Sequence, residues 1–170
     1  EITTPGEGRV RALFTGAGNP VLSTPNGRAL DAAFEQLEFM VSLDPYLNET
    51  TRHADIILPP TSPLEHDHYD IGFHINAIRN TARYSEPVFD KPEDSLHDWE
   101  IFTALGERVA AALGEEPRKL MAPHEMVDLG LQFGPYGRDS EHKLDLATLK
   151  ANPSGVDLGP LQPQLPERLF

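Results

Sequence analysis

Three short apolar runs, Val10–Thr15, Phe39–Leu43 and Ile56–Leu58, each stop abruptly in a polar, glycine-bearing or proline-bearing loop. Continuous aliphatic and β-branched runs of this length are the mark of strands buried in a parallel sheet. In such sheets ligands collect outside the carboxyl ends of the strands. Here those ends carry Gly16-Ala17-Gly18-Asn19-Pro20, then Asp44 and Asn48, then Pro59-Pro60. The pattern predicts an α/β domain with a short parallel sheet and a nucleotide-shaped site at one edge.

Between the first two runs, Thr24 is placed to cap a helix with Pro25 at its first position. Ala29, Leu30, Ala33, Phe34 and Leu37 then share one helical face, which completes a βαβ unit. Asn48–Arg52 leaves room for a turn or two of helix before the third run. Residues 60–94 form an irregular insertion rich in Pro, His, Asp and Asn, with extended pieces near Gly72–Ile75 and Thr81–Tyr84. Ser95 and Asp98 open a longer helix in which Trp99, Phe102, Leu105, Val109 and Leu113 make an apolar stripe ending at Gly114. A weaker helix follows from Pro123 to Leu131, and Asp145 caps a short one to Lys150. From Asn152 the chain is a proline-rich tail. The expected division is a leader (1–8), an α/β cofactor-binding portion (9–135), and a short helix with a Pro-rich linker toward a further domain (136–170).

Charge narrows the partners. With 27 acidic against 14 basic residues in 170, the formal charge is −13. Such a body repels nucleic acid and anionic lipid, whereas a small anion can still bind through backbone N–H groups and local arginines. The chain has no cysteine, so it holds neither a disulfide nor a thiolate-bound cluster. No apolar run reaches the roughly 20 residues of a membrane span. The opening EITTPGEG has no initiator Met and no signal-peptide pattern, as expected of a piece of a longer chain. It leaves localisation open, with a cytoplasmic setting favoured.

Several residues are candidates for chemistry. Gly16-Ala17-Gly18-Asn19-Pro20 sits between a strand and a helix, the context of a phosphate loop. Val21 stands where a dinucleotide fingerprint would place its third glycine, and the alternative is a plain strand-to-helix turn. Asp44 follows a strand directly. One carboxylate there can accept from both N1–H and the N2 amine of guanine; the alternative is a turn cap. Glu65, His66, Asp67, His68 and Asp70 could form a metal-dependent hydrolase centre, but their spacing fits no standard site. No serine has a nucleophile-elbow setting.

The segments RVRALFTGAGNPVLSTPN, FMVSLDPYLNETTRHADIILPPTSPLEHD and LHDWEIFTALGERVAAALG, taken in this order over about residues 9–114, resemble the molybdopterin oxidoreductase family of formate dehydrogenases, nitrate reductases and dimethyl sulfoxide reductase. The resemblance implies a Rossmann-like three-layer domain, part of a cradle for a bis-molybdopterin guanine dinucleotide carrying molybdenum or tungsten. It assigns Gly18, Asn19 and Pro20 to the nucleotide turn, Asp44 to the guanine and Asn48 to a further polar contact, and Gly16 joins them as a cofactor-binding candidate from its place at the strand end. It also assigns Glu65 and Asn76 to a loop before Arg79, although Ala77-Ile78 replaces the acidic-glycine pair usual there. Any iron–sulfur cluster, the metal ligand and the catalytic residues would lie outside this segment. The implied partners are the remaining domains of the parent oxidoreductase and an electron-transfer subunit. Competing readings are a receiver-like signalling domain phosphorylated on Asp44, a noncatalytic assembly module and the hydrolase centred on Glu65–Asp70.

Overall fold

The computed structural model describes residues 1–118 and 120–161, with Ile75 described by its backbone alone. The chain divides into two compact units, one formed by Glu1–Ser62 with Lys91–Phe102, the other by Pro63–Asp90 with the chain from Thr103 onward.

The first unit is an α/β arrangement around a three-stranded parallel sheet. Strand β1 (Ala12–Gly16) pairs in register with β2 (Phe39–Leu43), from Ala12 opposite Phe39 to Gly16 opposite Leu43. β2 pairs on its other side with the two-residue β3 (Ile56–Ile57), which gives the order β1-β2-β3. The central strand is accordingly the most buried, with Met40, Ser42 and Leu43 almost inaccessible. Ser42 is tolerated there because its hydroxyl shares a 2.8 Å hydrogen bond with that of Thr15. Helices α1 (Pro20–Ser23) and α2 (Gly27–Phe34) connect β1 to β2, and α2 buries Ala33 and Phe34. A 3₁₀ turn, Thr51–His53, precedes β3.

The helical start differs from the expected one. Thr24 does not cap a helix; it ends α1, its hydroxyl donating back to Pro20 O at 2.7 Å, and α2 begins later, after Asn26 in the left-handed region. The hydroxyl is directed at a carbonyl behind it, and α2 starts without a side-chain cap. Helix α3 (Asp98–Leu113) opens in this unit and continues into the second. Its cap also lies off Ser95: Glu100 accepts from the His97 N–H at 2.8 Å and from Lys91 Nζ at 2.7 Å. The expected apolar stripe is not its buried face. Ile101 is buried, whereas Phe102, Val109 and Leu113 are about half exposed or more.

The second unit is built on two small antiparallel pairs. β4 (His68–Tyr69) pairs with β6 (Tyr84–Ser85), and β5 (Thr81–Ala82) pairs with β7 (Val156–Asp157). One extended segment, Thr81–Ser85, thus serves both pairs, switching partner at Arg83. Helices α4 (Pro123–Phe133) and α5 (Leu146–Lys150) close a core of Ala82, Tyr84, Leu131, Leu144, Leu146, Leu149 and Leu158. Asp145 caps α5 as expected, accepting from the Thr148 N–H at 2.7 Å. Two expectations fail here. Phe73–Asn76 is a 3₁₀ turn, not an extended piece, because Asp70 accepts from the Phe73 N–H and starts a turn. The tail is no simple linker through Leu161, since β7 lies within it; residues 162–170 of the expected proline-rich tail lie outside the described residues.

Candidate functional site

The carboxyl ends of β1 and β2 are joined by one hydrogen-bonded network. Ala17 donates to Leu43 O at 3.0 Å, which pins the first turn to the end of the second strand. Asn19 Oδ1 accepts from Thr50 Oγ1 at 2.7 Å, and the same hydroxyl accepts from Val21 N at 3.1 Å. Thr50 N and Thr51 N both donate to Asn48 Oδ1, at 2.9 and 3.0 Å. Asn48 Nδ2 in turn donates to Asp44 Oδ2 at 3.3 Å. Five of the expected residues, Gly18, Asn19, Pro20, Asp44 and Asn48, are therefore gathered on two loops braced by Thr50.

Each has a readable local cause. Asp44 is 7% exposed, and its Oδ1 accepts from Tyr46 N at 2.8 Å, the side-chain-to-backbone turn typical of Asp. Thr51 locks the same loop by accepting from Asn48 N and donating to Tyr46 O, both at 2.8 Å. Gly18 holds φ at +148°, and nothing lies within 4 Å of where a Cβ would stand. Gly16 is small for another reason: a Cβ there would meet the Phe102 ring at 3.1 Å. Asn19 Nδ2 donates to Glu49 at 2.5 Å, which holds the Glu49 carboxyl below the usual range.

A second brace ties α2 to the 3₁₀ turn. Asp31 receives Arg52 Nη2 at 2.6 Å, and His53 Nε2 lies 2.6 Å from the same oxygen. The Arg52 hydrogen bond, followed by that of His53, holds the Asp31 carboxyl below its ordinary value. A depressed carboxyl contributes stability above the unfolded-state pKa of about 3.9 and loses it as pH falls toward the folded value. The melting-temperature difference between the native chain and Asp31→Asn is thus expected to be full at about pH 6 and to close below about pH 4. A difference that persists at the acid end would show that Asp31 acts otherwise.

Glu65, Asn76 and Arg79 belong to the second unit. Arg79 makes a forked contact with Asp157, Nη2 to Oδ2 at 2.7 Å and Nε to Oδ2 at 3.1 Å, which holds the Asp157 carboxyl low. Asn76 ends the 3₁₀ turn, and Glu65 is half-buried with partners of its own. The acidic–histidine run beside Glu65 is committed to structure. Asp67 accepts from the Tyr84 hydroxyl, His66 Nδ1 contacts Asp67 O at 2.8 Å, and Asp70 caps the turn at Phe73. Burial, reinforced by Asp67, pushes the Tyr84 hydroxyl pKa up. Among the described residues no group of three His, Asp or Glu is placed to hold a metal ion, which removes the support for a hydrolase centre at Glu65–Asp70.

Thr50 and Thr51 went unnoticed in the sequence. The signal was present in Asn48-x-Thr50-Thr51, an Asx-type start, but the bond from Thr50 to Asn19 spans 31 positions and leaves no local trace.

In the first unit the carboxylate of Asp44 has acceptor capacity to spare. It offers about four lone-pair directions, and two are used. The N–H groups of Gly18 and Asn19 make no hydrogen bond among the described residues. Two acceptor positions on a fixed carboxylate, near a turn with open space and free N–H donors, suit a base with two adjacent donors and an attached phosphate.

The family described as Molybdopterin oxidoreductase matches residues 1–108. The assimilatory nitrate reductase catalytic subunit of Bacillus subtilis (strain 168) is 34% identical over 109 residues, which is 64% of this chain and 14% of that protein. A Staphylococcus aureus (strain USA300) protein named "Putative formate dehydrogenase" is 32% identical over 106 residues, 61% of this chain and 10% of its own length. The chain therefore spans about a tenth to a seventh of the curated relatives it matches. Across the first unit and the opening of the second, this chain belongs to the molybdopterin oxidoreductase family.

Proposed function

We propose that this chain supplies the guanine-nucleotide share of the cradle for a bis-molybdopterin guanine dinucleotide, in a molybdenum or tungsten oxidoreductase of the formate dehydrogenase or nitrate reductase type. The observation that carries the reading is Asp44: a buried carboxylate at the end of the central strand, fixed by two donors, with two acceptor positions left. N1–H and the N2 amine of guanine are two donors side by side. Adenine presents a donor beside an acceptor, so the same carboxylate would discriminate against it.

The other residues divide the work. Asn48 has both oxygen directions filled by Thr50 N and Thr51 N, so it holds Asp44 in place and offers a ligand only its remaining amide hydrogen. Gly18 and Asn19 present backbone N–H groups, and Gly18 clears space beside them. Pro20 starts α1 without an N–H, and Gly16 lets Phe102 close on the turn. Glu65, Asn76 and Arg79 are assigned by the family resemblance to the same cofactor; Arg79 is oriented by Asp157. A bound molybdenum or tungsten would supply the change of oxidation state. This chain has no cysteine to hold an iron–sulfur cluster, so such clusters and an electron-transfer subunit belong with other segments. The Rossmann-like three-layer arrangement is proposed for the complete domain, with the three strands here as part of its sheet.

Acid hydrolysis of the complete enzyme tests the reading. GMP should be released in a quantity matching the pterin, and molybdenum or tungsten should accompany it. Release of CMP, AMP or no nucleotide would remove the guanine assignment.

A further inference from the structure

The second unit carries a cleft of about 510 Å³, at which Arg83, Ser85, Ser154 and His68 have no part in the proposed cofactor site. Its floor is the extended segment that switches between the two small sheets. Ala82 and Tyr84 point into the core, so alternation puts Thr81, Arg83 and Ser85 together on the other face. His68 stands opposite Ser85 in the β4–β6 register, and Ser154 lines the cleft from the turn before β7.

Charge within the cleft is unevenly satisfied. Arg83 makes no ion pair among the described residues, in a chain whose formal charge is −13. Of the two carboxylates at the cleft, Asp157 is paired with Arg79 at 2.7 Å and accepts from Gly159 N at 2.9 Å, while Asp70 accepts from Phe73 N at 2.9 Å and keeps its charge. His74 is tied to Thr81 at 2.8 Å. Beside them stands the Arg83 guanidinium in a concave polar setting, with two serine hydroxyls and an imidazole on three different segments around it.

We propose that this cleft binds a phosphoryl group, with Arg83 as the charged contact and Ser85, Ser154 and His68 as its hydrogen-bonding partners. A guanidinium fork suits a pair of phosphate oxygens, and donors arriving from three segments suit a tetrahedral group rather than a planar one. The volume exceeds that of a bare phosphate, which favours an organic phosphate such as a nucleotide or sugar phosphate. The site lies wholly in the second unit, so its test is read separately from that of Asp44.

The experiment is a heteronuclear NMR titration of the full 170-residue chain with AMP, inorganic phosphate and sodium nitrate at matched ionic strength. Saturable shifts at the amides of Arg83, Ser85 and Ser154 are expected with AMP and, more weakly, with phosphate. Equal binding of phosphate and AMP would support the site with free phosphate as its ligand. Arg83→Gln, at an exposed position, should keep the native melting curve and weaken binding at least tenfold. Nitrate binding as tightly as either phosphate, absence of shifts at these amides, or unchanged affinity in Arg83→Gln would each overturn the proposal.

Discussion

Leu149→Ala is expected to lower the free energy of unfolding by about 2–5 kcal/mol, the range for emptying a fully buried leucine position. Leu149 is the most buried of the described residues of the second unit, at 0% exposure, and belongs to a core shared with Ala82, Tyr84, Leu131, Leu144, Leu146 and Leu158. Those residues come from two two-residue strands, two helices and loops, so few backbone hydrogen bonds hold them together and side-chain packing carries most of the association. Helix α5 is too short to persist alone; the Asp145 cap starts it and the burial of Leu146 and Leu149 keeps it in place. Leu113→Ala, on the exposed end of α3, should change stability by no more than about 0.5 kcal/mol. Denaturant titrations of both variants provide the comparison. A loss below about 1 kcal/mol for Leu149→Ala would mean that its surroundings relax into the space.

The consequence reaches the proposed phosphoryl cleft. Ala82 and Tyr84 anchor one face of the segment whose other face bears Thr81, Arg83 and Ser85. Packing on one side therefore fixes the polar array on the other. A loosened core would spread that array without altering any of its residues.

Much of the first unit was legible because its signals are local. Phe39–Leu43 reads as a buried strand from an unbroken apolar run, and it forms one over those same residues. Asp44, Asn48 and Gly18 could be read as lying on one edge because strand ends in a parallel sheet face the same way. Features that depend on distant partners were not. Strand β7 is two residues inside a proline-rich stretch and exists because Thr81 and Ala82 lie alongside it. Pro20–Ser23 is too short for helical periodicity, so Thr24-Pro25 looked like the helix start although the Thr24 hydroxyl turns back to Pro20. The α3 stripe shows a further boundary: spacing reports that a face is apolar, not that anything covers it, and Phe102, Val109 and Leu113 remain exposed.

At Asp44 the structural role and the proposed ligand-binding role fall on one carboxylate, and substitution alone cannot separate them. In Asp44→Asn the oxygen can keep the Tyr46 N–H, but the amide then opposes Asn48 Nδ2, donor against donor. Asn48 cannot turn over to relieve this, because Thr50 N and Thr51 N hold its oxygen. Asn is therefore expected to cost about 1 kcal/mol of fold stability, as Ala does at a capping position. Loss of the guanine pair should remove a further 1–3 kcal/mol, roughly fivefold to 150-fold in nucleotide affinity. A ratio of ligands cancels the stability term. GDP and IDP differ only in the N2 amine, so equilibrium dialysis with cofactor-free parent enzyme should show GDP bound about tenfold or more tightly, the worth of one hydrogen bond to a charged group. That preference should fall toward unity in Asp44→Asn and in Asp44→Ala, whatever fraction of each is folded. If Asp44 were a turn cap alone, both variants would melt lower while the native enzyme bound GDP and IDP equally. Equal binding by the native enzyme would sink the guanine assignment even if both variants lost their cofactor.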